Sequence, residues 1–331
     1  MGVQKQFSWT QFFPPKPRFT TRDIPASLQG KVFVVTGANT GIGKELARVL
    51  YAKNAKVYVA CRSEDKANQA IAEIKTAEPS SAGELIFLHL DLGDLSKVQA
   101  AATDFLARET RLHTLFNNAG VFVGPAESKT AQGHEEALGV NCIGTFLFTR
   151  LLTPALVAAA KAEPANSVRI VWLSSFGLEA FAPEGHGIDM SNLDYHVPKN
   201  NIERYGISKA GVWLLAVEFA GRLRSDGIVS VAINPGNIRT ELARHQGSVF
   251  QFMAGAIVYP VINGVYTQLF AAFSPEISTE FDWTKNWIIP FGRVAPLRPD
   301  LTKATLSAEE GGNGNAQQFW QWNEEQVNAY L

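Results

Sequence analysis

Residues 31–53, KVFVVTGANTGIGKELARVLYAK, pass from a wholly apolar run into an amphipathic one across three glycines, Gly37, Gly41 and Gly43. A strand that is nearly all apolar has no face to give to water, so KVFVVT (31–36) belongs inside a sheet covered on both sides. IGKELARVLYAK (42–53) carries helical periodicity. A strand, a tight turn and a helix N-terminus bring unpaired backbone N–H groups and the positive end of a helix dipole to one point, which is an anion site. Gly37 permits the tight turn, Gly41 the close approach of a pyrophosphate, and Gly43 close packing of the helix on the sheet. The spacing therefore predicts a dinucleotide pyrophosphate at this turn. It is not the phosphate loop of nucleotide hydrolases, because no Gly-Lys-Ser/Thr closes it.

The alternation continues along the chain. KVYVAC (56–61), ELIFLHL (84–90), HTLFNN (113–118), VRIVWLS (168–174) and GIVSVAIN (227–234) read as strands. EDKANQAIAEIKTA (64–77) and RYGISKAGVWLLAVEFAGRL (204–223) read as helices, and NWIIPF (286–291) is a candidate last strand. Apolar strands separated by helices predict an α/β fold: a Rossmann-type doubly wound parallel sheet in three αβα layers with right-handed crossovers. At 331 residues and 46% hydrophobic the chain can fill one large domain, 1–331. Residues 1–29 form an arm with Phe7, Trp9, Phe12 and Phe13 ahead of PPKPRF, expected to pack extended on the body. Residues 30–240 are the dinucleotide-binding and catalytic core. Residues 241–300 hold an apolar substrate lid and the last strand, and 301–331 a polar tail and a closing helix, FWQWNEEQVNAY (319–330).

The formal net charge of -1 gives no electrostatic case for nucleic acid as a partner. Cys61 and Cys142 lie in strand-like and helix-like stretches, as buried free thiols of a reducing, cytoplasmic setting would. MGVQKQFSWT has no apolar core of a secretory signal, and Gln6 stands where the myristoylation motif after Gly2 wants Ser or Thr. The most apolar window, VFQFMAGAIVYPVINGV (249–265), is too short to span a bilayer and contains Gln251, Pro260 and Asn263, so no transmembrane segment is expected. No His/Cys/Asp cluster has metal-ligand spacing.

TGANTGIG (36–43) resembles the cofactor turn of the short-chain dehydrogenase/reductase family. HLDL (89–92), NNAG (117–120), Asn141 in VNCIGTF, LSS (173–175), YGISK (205–209) and NPGNIRT (234–240) follow in the family's order. ACRSEDKA, the long gap before YGISK, and AFSPEI are similar to the retinol-dehydrogenase-like branch, including its fungal relatives. The resemblance covers about residues 28–240. It implies a nicotinamide cofactor held by Gly37, Asn39, Gly41, Ile42 and Gly43, with Asp91 and Leu92 at the adenine edge. It also implies Asn118, Ala119 and Gly120 on the ribose side, and Pro235, Gly236, Ile238 and Thr240 at the nicotinamide. An acid at the end of the second strand would hydrogen-bond a free ribose 2′-hydroxyl. Arg62 and Ser63 stand there instead and suit a 2′-phosphate, so the expected cofactor is NADP(H).

Tyr205 and Lys209 are four apart on a helix pattern and share a face. An isolated Tyr, with a pKa of about 10, exchanges protons poorly near neutrality, and a neighbouring cation lowers that value. The resemblance implies Tyr205 as acid–base, Lys209 on Tyr205 and on the nicotinamide ribose, and Ser175 on the substrate oxygen. Asn141 would hold a water linking Lys209 to solvent. The segment between Ser175 and Tyr205 suggests a loop over the site, with His186 and His196 as surface residues. Phe250, Phe252, Met253, Ile257, Val258, Tyr259 and Val261 suggest an apolar lid for a hydrophobic ketone, aldehyde or alcohol, in fungal-type secondary metabolism among other settings. A non-redox step (cyclase or isomerase) and cofactor sensing without turnover are the alternatives. Trp213, Leu214, Val217 and Phe219 on the Tyr205 helix exceed what one sheet face needs and suggest a homodimer, unless the aromatic arm covers them.

Overall fold

Strand β1 (Val32–Thr36) is buried at every position, and its side chains divide between two cores. Phe33 and Val35 join one, Val32 and Val34 the other. In the computed structural model, which describes residues 9–122, 124, 128–238 and 258–331, this strand lies inside an eight-stranded sheet. Its companions are β2 (Lys56–Cys61), β3 (Glu84–His89), β4 (Thr114–Asn117), β5 (Arg169–Leu173), β6 (Val229–Ile233), β7 (Asn286–Ile289) and β8 (Arg293–Pro296). The order is β3-β2-β1-β4-β5-β6-β7-β8, parallel through β7, with β8 antiparallel to β7. This is the doubly wound sheet expected from the apolar strands. β8 was not anticipated. It sits at the edge, only partly buried, so RVAP lacks the apolar run that marks the inner strands.

Helices α1 (Gly41–Ala52) and α2 (Glu64–Ala77) cover one face; α3 (Leu95–Arg108) and α4 (Glu136–Ala160) cover the other. α5 (Gly177–Phe181) leads toward α6 (Asn201–Arg222), which joins the α3–α4 layer. An Asn200/Glu203 capping box starts α6, each side chain accepting from the other's backbone end. α7 (Val261–Phe273) lies on the α1 side, where Val265, Leu269 and Phe270 enter the core. That corrects the expectation of a lid for its part of 241–300: Val261 onward is core helix. The lid residues Phe250, Phe252, Met253 and Ile257 lie outside the described residues. α4 is long and apolar enough to cross a membrane by length and composition, but Phe146, Leu147, Phe148, Leu152 and Leu156 pack into the core of this fold.

After the four-residue helix α8 (Thr302–Thr305), α9 (Asn315–Val327) closes the second face. Phe319 and Trp320 pack there, with the Trp320 ring 4.7 Å from Phe219 and the Arg222 guanidinium 4.0 Å above Trp320. Trp213, Leu214, Val217 and Phe219 are thereby buried within one chain. The apolar stripe that suggested a dimer is covered by α9, so the motive for pairing there is removed.

The described part of the arm opens on a 3₁₀ turn, Trp9–Gln11, and continues through bends and turns, with Ile24 and Leu28 in the α1-side core and Phe19 edge-on to Phe270. Cys61 and Cys142 are free and buried, and the Cys142 thiol donates to the Ser208 carbonyl at 3.2 Å. Burial pushes both thiols above their ordinary pKa.

Candidate active site

β1 has β2 on one side and β4 on the other, and the chain leaves these strands in opposite directions. A crevice therefore opens at their carboxyl ends, the place where sheets of this kind receive ligands. The glycine turn lies in it. Gly37 and Gly41 adopt φ of +67° and +54°, left-handed values that favour glycine. At Gly43 a Cβ would fall 2.5 Å from Asn118 Nδ2 and 2.6 Å from the Gly37 carbonyl oxygen. Thr40 caps α1 without a side-chain hydrogen bond, and no acid lies in the first turn, so the site suits an anion. These are the features a bound pyrophosphate requires, and the residues present fit a dinucleotide.

Asn118 locks the crevice floor. Its Nδ2 donates to the Thr36 carbonyl at 2.8 Å, and its Oδ1 accepts from Gln268 Nε2 at 2.8 Å. The Ala119 amide donates to Thr36 Oγ1 at 2.8 Å. Gln268, buried on α7, was not anticipated. Its signal is one amide inside the otherwise apolar VYTQLFAAF. Ile42 and Ile238 converge over Gly264 of the same helix, each 3.0 Å from where its Cβ would stand.

Arg62 follows β2 and is exposed, while Ser63 Oγ caps α2 by accepting from Lys66 N at 3.4 Å. Asn39 is half-buried in the glycine turn. Asp91 Oδ1 accepts from Gly93 N at 3.0 Å and so holds its own turn. Leu92 is buried, its carbonyl against Gly144 of α4. Gly236 adopts φ +90° beside Pro290, with Pro235 before it. Thr240 lies outside the described residues.

The second cluster stands where β4, β5 and α6 meet. Gly139–Gly144, within α4, is a π-helical stretch, a local widening that recurs at functional sites. It turns Asn141 inward: Oδ1 accepts from Val121 N at 2.9 Å, and Nδ2 donates to the Val121 carbonyl and to Ser208 Oγ at 3.1 and 3.0 Å. Lys209 Nζ donates to the Leu173 carbonyl at 2.8 Å. A Cβ on Gly120 would stand 3.0 Å from Lys209 Nζ and 3.2 Å from Asn141 Oδ1, so these three groups meet at one point. Burial lowers the Lys209 ammonium to about 8.

Tyr205 is one turn earlier on α6, its ring stacked on Phe122 at 4.6 Å and 5.7 Å from Lys209 Nζ. Phe122 was also unanticipated, although it stands just beyond NNAG. The two serines of LSS part company. Ser174 turns inward and donates to the Lys209 carbonyl at 2.8 Å; Ser175 hydrogen-bonds Tyr205 and accepts from Gly177 N at 3.1 Å. Burial raises the Tyr205 pKa, and the Ser175 hydroxyl holds it down. Lys209 donates one of its three N–H groups to the Leu173 carbonyl and lies beside the Tyr205 ring.

Of the segment between Ser175 and Tyr205, α5 borders Tyr205 through Gly177. The rest is tied to the C-terminal tail: Arg298 donates to the carbonyls of Glu179 and Ala182, and Asn315 Nδ2 to those of His186 and Ile188.

The family model described as short chain dehydrogenase matches residues 31–182. The chain is 50% identical over 326 residues to the short-chain dehydrogenase/reductase bet4 of Neocamarosporium betae, covering 98% of this chain and 93% of that one. It is 49% identical over 327 residues to a short-chain dehydrogenase/reductase of Phomopsis amygdali, covering 98% and 97%. Among solved structures it is similar in fold to the Pseudomonas aeruginosa RhlG/NADP active-site complex, with a TM-score of 0.61 and 22% identity, covering 80% of this chain and 96% of that one. The fold and these relatives define a Rossmann-type oxidoreductase class. The chain belongs to the short-chain dehydrogenase/reductase family, whose members use a nicotinamide cofactor.

Proposed function

We propose that the chain is an NADP(H)-dependent oxidoreductase that interconverts a hydrophobic alcohol and its ketone or aldehyde. The observation that carries this reading is the Tyr205–Ser175 pair beside a buried Lys209, at the mouth of a glycine-lined crevice. Glycines 37, 41 and 43 would hold the pyrophosphate, and Arg62, exposed at the end of β2, would pair the 2′-phosphate. When bound, the dinucleotide would supply the hydride in reduction and take it up in oxidation. Ser175 orients the substrate oxygen, and Tyr205 donates a proton to it in reduction or accepts one in oxidation. Lys209 would bind the cofactor ribose, and Asn141 beside it would hold a water that returns protons from solvent.

The apolar character of the substrate is supported by Phe122, stacked on Tyr205. A role in fungal-type secondary metabolism, as one cytoplasmic domain over 1–331, belongs to the same proposal; fungal relatives of nearly equal length support it. The test is a screen of apolar ketones and aldehydes followed by NADPH absorbance. Consumption of NADPH with at least one of them is expected, and none with any would reject the reading. Arg62→Asp should invert the ratio of NADPH to NADH affinities measured by fluorescence, and an unchanged ratio would show that Arg62 does not read the phosphate.

A further inference from the structure

The N-terminal arm reaches the same end of the sheet as Tyr205, and it arrives with a buried amide. Gln11 is 5% exposed. Its Nε2 donates to Glu179 Oε2 at 2.6 Å, and its Oε1 accepts from Asn234 Nδ2 at 2.9 Å. Glu179 lies on α5, directly after Ser175 and against Tyr205. Asn234 opens the Asn-Pro-Gly turn and accepts from the Gly236 amide at 3.0 Å. One side chain of the arm therefore bridges the loop that carries the substrate-orienting hydroxyl and the loop assigned to the nicotinamide.

The next residue completes a ring around the space between those loops. Phe12 lies edge-on to Phe176 at 4.7 Å, and its carbonyl accepts from the Tyr259 hydroxyl at 3.2 Å. Tyr259 in turn bridges Ile238. The arm is held from outside as well, because Arg293 donates to Thr10 Oγ1 and to the Thr10 carbonyl at 3.1 and 2.7 Å. Trp9 and Phe13 stack on each other and stay exposed, so an apolar lip faces outward while the half-buried Phe12 packs against Phe176.

We propose that Trp9–Phe13 is the outer wall of the substrate site, with Phe12 as a specificity-determining residue that meets the apolar body of the substrate. Gln11 is a positioning residue that fixes the Ser175 loop relative to the Asn234–Gly236 loop. The proposal deepens the oxidoreductase reading and rests on it for the place of the substrate. It extends the site across more than 160 residues of chain, to a segment outside the region that the glycine turn and Tyr-x-x-x-Lys mark.

The test separates the wall from the chemistry. Decahydro-2-naphthol is titrated into the NADPH-loaded protein, a pairing in which no hydride can move, and binding is read from NADPH fluorescence. Phe12→Ala is expected to weaken that binding by about tenfold or more while NADPH affinity stays within about twofold, and Phe12→Leu to restore most of it. If the naphthol binds and Phe12→Ala weakens it, but no ketone is ever reduced, the redox reading falls and the wall stands. Equal binding in the wild type and Phe12→Ala, or none in either, overturns the wall.

For Gln11, the readout is kcat and KM separately with a ketone that the wild type reduces. Gln11→Ala is expected to lower kcat by about tenfold or more through misplacement of Ser175. The double exchange Gln11→Glu with Glu179→Gln is expected to restore it, since a carboxylate at position 11 accepts from both the amide at 179 and Asn234. An unchanged kcat in Gln11→Ala, or a loss the exchange does not repair, overturns the positioning role.

Discussion

Gly43→Ala tests the crevice at its tightest point. The added methyl would stand 2.5 Å from Asn118 Nδ2 and 2.6 Å from the Gly37 carbonyl oxygen. Non-bonded carbons settle at roughly 3.5 Å or more, so each contact is too close by about 1 Å. Neither neighbour can retreat cheaply. Asn118 is held by Thr36 and Gln268, and Gly37 is held through its amide to the Ala60 carbonyl at 2.7 Å. Overpacking of this kind costs about 1–3 kcal/mol, and each hydrogen bond released costs about 1 kcal/mol more. A total of about 3–5 kcal/mol is expected, divided between stability and the geometry of the phosphate-facing amides. NADPH dissociation constants from fluorescence should rise by about 100-fold or more, and Tm should fall by several degrees. Gly221→Ala is the control: it lies exposed on α6 with open space about it, and there Ala should be neutral or stabilising by up to about 1 kcal/mol. A Gly43→Ala protein with wild-type Tm and wild-type NADPH affinity would refute the packing reasoning for the whole turn.

Tyr205→Phe removes the proton-transferring hydroxyl and should lower turnover by about 100-fold or more with NADPH affinity retained; near-wild-type turnover would place the proton donor elsewhere. Ser175→Ala should change the pH profile with a definite sign. Reduction needs Tyr205 protonated, burial raises its pKa and Ser175 holds it down, so loss of Ser175 should move the alkaline fall of kcat/KM to higher pH. A fall at lower pH would contradict that assignment. Truncation after Gly314 removes Phe319, Trp320 and Val327 and uncovers Phe146 and Phe219, so light scattering should show association where the full chain shows less.

The fold was legible because the inner strands are buried on both faces and therefore mostly apolar, from Val32–Thr36 to Val229–Ile233. β8 was not, since a half-buried edge strand such as Arg293–Pro296 carries no such mark. Within the site, the glycine turn and Tyr205–Lys209 are local patterns and could be read as such. Gln11 and Gln268 act across long stretches of chain, on Glu179, Asn234 and Asn118, and no local spacing encodes those meetings. The state of Tyr205 depends on its burial and on the Ser175 hydroxyl, two properties of packing rather than of sequence. The cover of the apolar stripe on α6 was hidden for the same reason: α9 lies about a hundred residues further along the chain.

The placement of the two thiols bears on how the protein responds to chemical labelling. Cys142 sits next to Asn141 in the π-helical turn, its sulfur bound to the α6 backbone, and Cys61 is sealed at the end of β2. Both thiols are held protonated by their surroundings, and the thiolate is the reactive form. Alkylating reagents and mild oxidants are thus expected to react slowly with the closed molecule. Modification of Cys142 must wait for α6 to part from the turn beneath it, so its labelling rate is a clock for the opening of the same structure that holds Asn141 and Lys209 together.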